Sequence, residues 1–365
     1  MTQPTRVLQV VTHMNRGGLE TMLMNYYRHT DRNKVQFDFL AHRDDRAAYD
    51  DEIESLGGTI YRLPRLVPWS GSYQRALNDF FEKHPEYRIV HVHQDCLSSV
   101  ILKAAQKNGV PVRIAHSHSA NQDRNLKYPI KLWYKRSIPQ YATALFACGK
   151  DAGDWMFNGA SYQIVNNAID AAAYTYDSVL RAEIRSKLGL NDELAVGHVG
   201  RFSLAKNHSF LLDVFTALLH QEPNAVLLLT GDGTNMEKMK LKAQELGIAE
   251  HVRFLGVRSD VPDLMQAMDV FVFPSLYEGL PVTMVEAQAA GLPCIISDKV
   301  PPECVLTDGL VDIMPLSAKP EIWAERILGK RSTQRTNHCG EITAHGFDIT
   351  TEAIKLQEFY LEAVK

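Results

Sequence analysis

The feature that most constrains the fold is a rhythm of short apolar runs and amphipathic segments, met twice along the chain. VLQVV (Val7 to Val11) is a β-branched run closed by a polar, Gly-rich loop. LETMLMNYYRH follows, with Leu19, Met22, Leu23, Tyr26 and Tyr27 at helical spacing. FDFLA, TIYRL, RIVHVH, VRIAHSH and ATALFAC continue the strands, with helical patterns such as SYQRALNDFFEKH among them. Near residue 170 the pattern breaks at VNNAIDAAAYTYD. It restarts with AVGHVGRF, HSFLLDVFTALLHQE, AVLLLTGDG, MEKMKLKAQELG, VRFLGV, VFVFPS and PCIIS. Short apolar strands alternating with helices predict parallel sheets covered on both faces. The expected α/β organisation is two Rossmann-like, doubly wound domains, 1–172 and 173–345. A C-terminal helix over 346–365 is expected to pack back on the first of them.

Bulk properties narrow the partners. At 365 residues the chain holds two domains of ordinary size. A formal charge of −4 gives no reason to expect nucleic acid. Five scattered cysteines form no C-x-x-C pair, so neither a disulfide framework nor a zinc site is indicated. The apolar run near Met1 is too short for a signal peptide or a membrane span, which leads to the expectation of a cytoplasmic protein.

In open parallel sheets, ligands bind beyond the carboxyl ends of the strands, so the loops that follow strands are informative. After VFVFPS comes YEGLPVTMVEA, with Glu278 and Glu286 separated by seven residues. Pro281 suits a helix start and Gly291 a helix end. The backbone N–H groups of Gly279, Leu280 and Val282 then lie at a helix N-terminus, a ready anion site. Glu278 would repel a phosphate there, so hydroxyl groups are its natural partners. Glu286, beyond the first turn, could receive two vicinal hydroxyls, as on a ribose. Both glutamates could equally be solvated surface groups, although Met284, Val285, Ala287 and Ala289 favour burial beside Glu286.

FPSLYEGLPVTMVEAQAAGLP, with its two glutamates, resembles the donor-site signature of the retaining glycosyltransferases of family 4. That resemblance implies the GT-B fold, two Rossmann-like domains facing each other across a cleft. It implies that Glu286 holds the nucleotide ribose and that Glu278 contacts the donor hexose. GHVGRFSLAKNHSF resembles the family segment in which Arg201 and Lys206 bind the donor diphosphate, whose leaving charge fixed cations would stabilise. FLGVRSD lies where the family contacts the base, which makes Val257 and Arg258 candidates. NRGGLE, with Gly17 and Gly18 between a strand and a helix, lies where the family faces the donor phosphate and the acceptor; it is not the G-x-G-x-x-G of a nicotinamide or flavin enzyme. The histidine after the strand RIAHS is implied to contact the donor sugar, with His116 the first choice and His118 the reserve. His91 and His93 in HVHQD make four histidines, yet no ligand of another type is clustered nearby, and no metal or other cofactor is expected. The chain departs from the family at Asn167-Ala168, where Asn-Gly is common, and at SDKVPPECV, where a glycine pair is usual. WAERILG and GFDI resemble the branch that builds bacterial exopolysaccharides and capsules.

The resemblance implies transfer of a hexose from a nucleoside-diphosphate sugar, expected to be a UDP-sugar, to a hydroxyl on a glycan or lipid-linked acceptor, with retention. A sugar-phosphate synthase or phosphorylase on the same fold, or a non-catalytic nucleotide-sugar-binding partner of another transferase, are the alternatives. The segment Arg124 to Tyr141 mixes Lys127, Lys131, Lys135 and Arg136 with Tyr128, Ile130, Leu132, Trp133 and Tyr134. It reads either as an interfacial helix on the inner face of an anionic membrane or as a core-packing helix with a charged outer face.

Overall fold

The computed structural model describes residues 3–119 and 128–365, and the chain divides into two units, Met1–Ala168 with Ile349–Lys365, and Ile169–Asp348. The crossings thus lie at 168/169 and 348/349, against the expected 172/173 and 345/346. The reason is local. The short helix Ala171–Tyr174 buries Ala171 and Tyr174 in the core of the second unit, and Ile169 forms a parallel bridge with Asp348.

The first unit holds β1 (Thr5–Val11), β2 (Val35–Ala41), β3 (Ile60–Arg62), β4 (Ile89–Val92), β5 (Val112–Ser117), β6 (Ala144–Ala147) and β7 (Gln163–Ile164). They form one sheet in the order β3-β2-β1-β4-β5-β6-β7, parallel throughout. Successive side chains point to opposite faces. Leu8, Val10, Val90, Val92 and Ala115 pack with helices Gly71–Lys83 and Ser98–Lys107. Val7, Val11, Ile89 and Ile114 face helix Gly18–His29 and the C-terminal helix Ile349–Ala363, which adds Ile349, Ala353, Leu356 and Tyr360 to that core.

The second unit holds β8 (Leu194–Val199), β9 (Ala225–Thr230), β10 (Val252–Gly256), β11 (Val270–Phe273), β12 (Cys294–Ser297) and β13 (Val311–Met314). Their order is β10-β9-β8-β11-β12-β13, again parallel throughout. Phe271, Phe273, Cys294 and Ile296 face helix Val282–Ala289, while Val196, Leu227, Val272 and Ile295 face helices His208–Leu219 and Pro320–Lys330, where Trp323 is wholly buried. Each sheet reverses its winding once, between β1 and β4 and between β8 and β11. Those are the switch points at which such sheets take ligands. Among the described residues, no helix is long and apolar enough to cross a membrane.

Helix Val282–Ala289 leads away from the second switch point, and its end is built on Gly291. Gly291 has φ +60°, the N–H of Leu292 reaches the carbonyl of Ala287 at 2.9 Å, and the N–H of Gly291 reaches Gln288 at 2.9 Å. This is a left-handed C-cap that suits glycine. A Cβ at this position would also meet the Thr336 carbonyl oxygen at 2.3 Å. Gly291→Ala is therefore expected to destabilise the second unit by about 1–3 kcal/mol, read as a lower thermal midpoint. An unchanged midpoint would refute the cap.

Candidate active site

The loops after β8 and β11 are tied together. The N–H of Leu276 donates to the Ala205 carbonyl at 2.7 Å, and Asn207 Nδ2 donates to the Pro274 carbonyl at 3.1 Å. The turn after β9 closes on the same loop: the N–H of Gly200 reaches Thr230 and that of Phe202 reaches Asp232, each at 2.9 Å. Gly231, at φ +136°, lies so near Gly200 that a Cβ would fall 2.2 Å from its carbonyl oxygen. Glycine at this turn is a packing requirement.

This frame carries three charges. Lys206 Nζ donates to Glu278 Oε1 at 2.8 Å and lies 4.4 Å from the Phe273 ring centre. Both side chains are largely buried, 17% and 12% exposed. The family resemblance implies a diphosphate contact for Lys206 and a sugar contact for Glu278; here the two satisfy one another. Arg201 is exposed and has no ion pair among the described residues. A planar guanidinium in that state is available to grip two oxygens of one anion.

The helix beyond begins one residue later than expected, with Pro281 as its cap residue and Val282 as its first. Among the described residues, the N–H groups of Gly279, Leu280 and Val282 have no protein acceptor. Glu286 lies on this helix, half-buried. Protein packed round its carboxyl raises the pKa from an ordinary 4.5 to about 7, burial being the main cause, while the Tyr174 hydroxyl acts in the opposite direction. Several polar atoms at this edge are buried without partners among the described residues: Thr230 Oγ1, Ser275 Oγ, Thr283 Oγ1 and His198 Nε2. Such atoms are uncommon and mark a place where a polar ligand could be received. Ser275 and His198 lie at the ends of apolar strand runs, and no alternation in the sequence singles them out.

Other candidates stand apart from this description. Val257 is 58% exposed after β10, whereas the Arg258 guanidinium is committed to Asp260, its Nε 2.8 Å from Oδ1. In the first unit, Gly17 caps helix Gly18–His29 and both glycines are exposed, as an anion site requires. Yet Glu20 folds back, its Oε2 2.4 Å from where a Gly17 Cβ would stand, and its pKa is raised, chiefly by burial. The helix end is thus already faced by a carboxylate, which opposes the expected phosphate contact.

The four histidines form one buried cluster at the carboxyl ends of β4 and β5. His116 is 1% exposed, so the expectation that it touches a sugar directly meets a steric obstacle. His118, with ring centres 4.1 Å apart from it, is the more accessible. Burial drives all four pKa values down, that of His118 to about 3, so the rings are neutral at physiological pH. His91, His93 and His116 offer ligand atoms within 4.8 Å of one another, the arrangement of a possible metal site that the sequence reading discounted. Within the cluster, His91 Nε2 lies 3.2 Å from His116 Nδ1 and His93 Nε2 lies 2.9 Å from Gln9 Oε1, while His116 Nε2 has no hydrogen-bond partner among the described residues.

The basic aromatic segment is partly settled. Residues 124–127 lie outside the described residues; Tyr128–Arg136 is a helix. Lys135 is buried, hydrogen-bonded to the Trp155 carbonyl and held over its ring, so of the two readings it fits core packing and cannot serve a lipid surface. Trp133 and Ile130 are exposed, at 66% and 41%.

The family described as "Glycosyltransferase Family 4" matches residues 16–173, and "Glycosyl transferases group 1" matches residues 181–325. The chain is 40% identical over 332 residues to EpsF of Bacillus subtilis (strain 168), a protein named as a glycosyltransferase, covering 88% of this chain and 86% of EpsF. The chain belongs to glycosyltransferase family 4. It is also 25% identical over 303 residues to an Escherichia coli enzyme named UDP-Gal:alpha-D-GlcNAc-diphosphoundecaprenol alpha-1,3-galactosyltransferase, covering 77% of each. The crystal structure of Anabaena Alr3699/HepE in complex with UDP superposes with a TM-score of 0.73 at 18% identity, over 98% of this chain and 96% of that one. The transferase therefore has the GT-B fold.

The raised pKa of Glu286 links to stability with a definite sign. A carboxyl that holds its proton more tightly when folded favours the native state below pH 4.5, and that advantage is lost as the pH rises through about 7. Glu286→Gln removes this dependence. The variant is expected to match the parent in urea midpoint near pH 4.5 and to exceed it at pH 8 by on the order of 1 kcal/mol, residual solvent access reducing the full linkage. Parallel pH profiles for the two proteins would count against the desolvated carboxyl.

Proposed function

We propose that this glycosyltransferase moves a hexose from a UDP-sugar to a hydroxyl of a glycan or lipid-linked acceptor, with retention at the anomeric carbon, in exopolysaccharide or capsule synthesis on the cytoplasmic side. The observation that carries the reading is the second-unit edge where Arg201, the Lys206–Glu278 pair and Glu286 are held by the joined loops after β8 and β11. The relatives support the donor class: one is named for UDP-galactose, and a structural neighbour holds UDP. In this reading the second unit binds the donor and the first the acceptor.

Glu286 receives the ribose hydroxyls. Arg201 and Lys206 take the diphosphate, with the N–H groups of Gly279, Leu280 and Val282 and about half a positive charge from the helix end. Diphosphate draws Lys206 away from Glu278, and the freed carboxylate then accepts from hexose hydroxyls and steadies the developing positive charge. A histidine after β5 supports the sugar; accessibility gives the contact to His118, with His116 behind it. In the transfer, the bond from the anomeric carbon to the phosphate oxygen breaks and the acceptor oxygen bonds on the same face. The acceptor proton passes to the departing phosphate oxygen, so no protein nucleophile enters. Val257 and Arg258 face the base, Arg258 after leaving Asp260.

Ribose binding converts Glu286 to its charged form. Glu286→Ala should weaken free UDP binding by on the order of 1–3 kcal/mol. Glu278→Ala should keep UDP binding and lose turnover. UDP affinity that ignores Glu286 would remove it as the ribose ligand, and near-parental turnover in the Glu278 variant would remove that residue from the reaction.

The protein charges alone are expected to balance the leaving diphosphate, so turnover should survive EDTA. Arg201→Lys should be costly although charge is kept, because a lysine is a point charge and cannot hold two phosphate oxygens in one plane. Activity abolished by EDTA and restored by Mg²⁺ or Mn²⁺ would overturn this account.

A further inference from the structure

The buried polar cluster of the first unit has a direction. Gln9 on β1 faces both halves of it: its Oε1 lies 2.9 Å from His93 Nε2, and its Nε2 lies 3.3 Å from the Tyr360 hydroxyl. His93 Nδ1 is 2.8 Å from His118 Nε2. Tyr360 is 2.6 Å from His91 Nδ1, and His91 Nε2 is 3.2 Å from His116 Nδ1. Each contact joins one donor to one acceptor, and every ring is neutral, with one N–H and one bare nitrogen.

The hydrogens then follow in sequence. Gln9 Oε1 only accepts, so His93 carries its hydrogen on Nε2. His93 Nδ1 is bare, so His118 donates from Nε2 and its own Nδ1 is bare. On the other arm, Gln9 Nε2 donates to Tyr360, and Tyr360 donates to His91 Nδ1. His91 then donates from Nε2, His116 Nδ1 accepts, and the hydrogen of His116 sits on Nε2. The two end atoms, His118 Nδ1 and His116 Nε2, are buried without a hydrogen-bond partner among the described residues.

We propose that the Gln9 carboxamide is a positioning group that fixes His118 and His116 in the same Nε2–H tautomer, which leaves the two ends of the cluster unlike: a bare Nδ1 on His118 and an N–H on His116. His118 is the less buried of the two rings, and its bare nitrogen suits a hydroxyl that donates. One amide orientation sets both arms, and turning it over would reverse both together. The catalytic part of the inference rests on the sugar contact proposed for His118; the tautomer pattern does not.

The test begins with the unaltered protein. Long-range ¹H–¹⁵N correlation spectra of the histidine rings distinguish a bare nitrogen from a protonated one. The expected pattern is Nε2–H at all four residues, with all four Nδ1 atoms bare. Tyr360→Phe should disturb His91 and His116 only, and Gln9→Leu all four. Gln9→Leu should also lower kcat on the order of tenfold with UDP affinity kept. An Nδ1–H at His116 or His118 in the unaltered protein overturns the proposal, as does a shift of His91, His93 and His116 together on adding one equivalent of Zn²⁺, which would make the cluster a metal centre. Failure of the sugar reading shows differently: the spectra hold while kcat ignores Gln9.

Discussion

Strand direction is the constraint on which the rest of the structure depends. Every pairing in both sheets is parallel, so all carboxyl ends in a sheet leave by one edge, and the loops that follow strands gather there. The same direction brings helix N-termini, such as that of Val282–Ala289, to that edge with their unpaired N–H groups. A chain of slight net negative charge thereby acquires a local site suited to an anion without a strongly basic surface.

The charges at these edges are mostly engaged with one another. Lys206 holds Glu278, Arg258 holds Asp260, and Glu20 bends over the helix end beside Gly17. Pairing lowers the cost of partly desolvated charge. Arg201 stands outside this scheme, exposed and without an ion pair among the described residues. Glu286 is the opposite case: the protein packed round it raises its carboxyl pKa to about 7, with the Tyr174 hydroxyl acting the other way.

Burying four histidines costs more than burying four aliphatic side chains unless their nitrogens find partners. Gln9 partners His93 and Tyr360 partners His91, those two rings partner His118 and His116, and the ring of Phe146 packs edge-on against His91 and His116. The C-terminal helix is therefore both packing and chemistry in the first unit: Ile349, Ala353 and Leu356 enter the apolar core, and Tyr360 enters the polar one.

The sequence by itself determined the class of fold, the two units and the loops worth reading. Buried parallel strands appear as unbroken apolar runs, and helices as a 3.6-residue period, so local pattern reports them directly. It also carried the family-specific glutamates, the partial burial of Glu286, and the glycine that ends its helix. Pairing was beyond its reach. Lys206 meets Glu278 across 72 residues and His91 meets Tyr360 across 269, distances along the chain that no periodicity records. The burial of His116 behind His118, the commitment of Lys135 to Trp155, and the entry of Ala171–Tyr174 into the second core were likewise decided by strand order and helix packing. A residue type and its spacing state which bonds a side chain can make; only the assembled sheet determines which partners stand within reach.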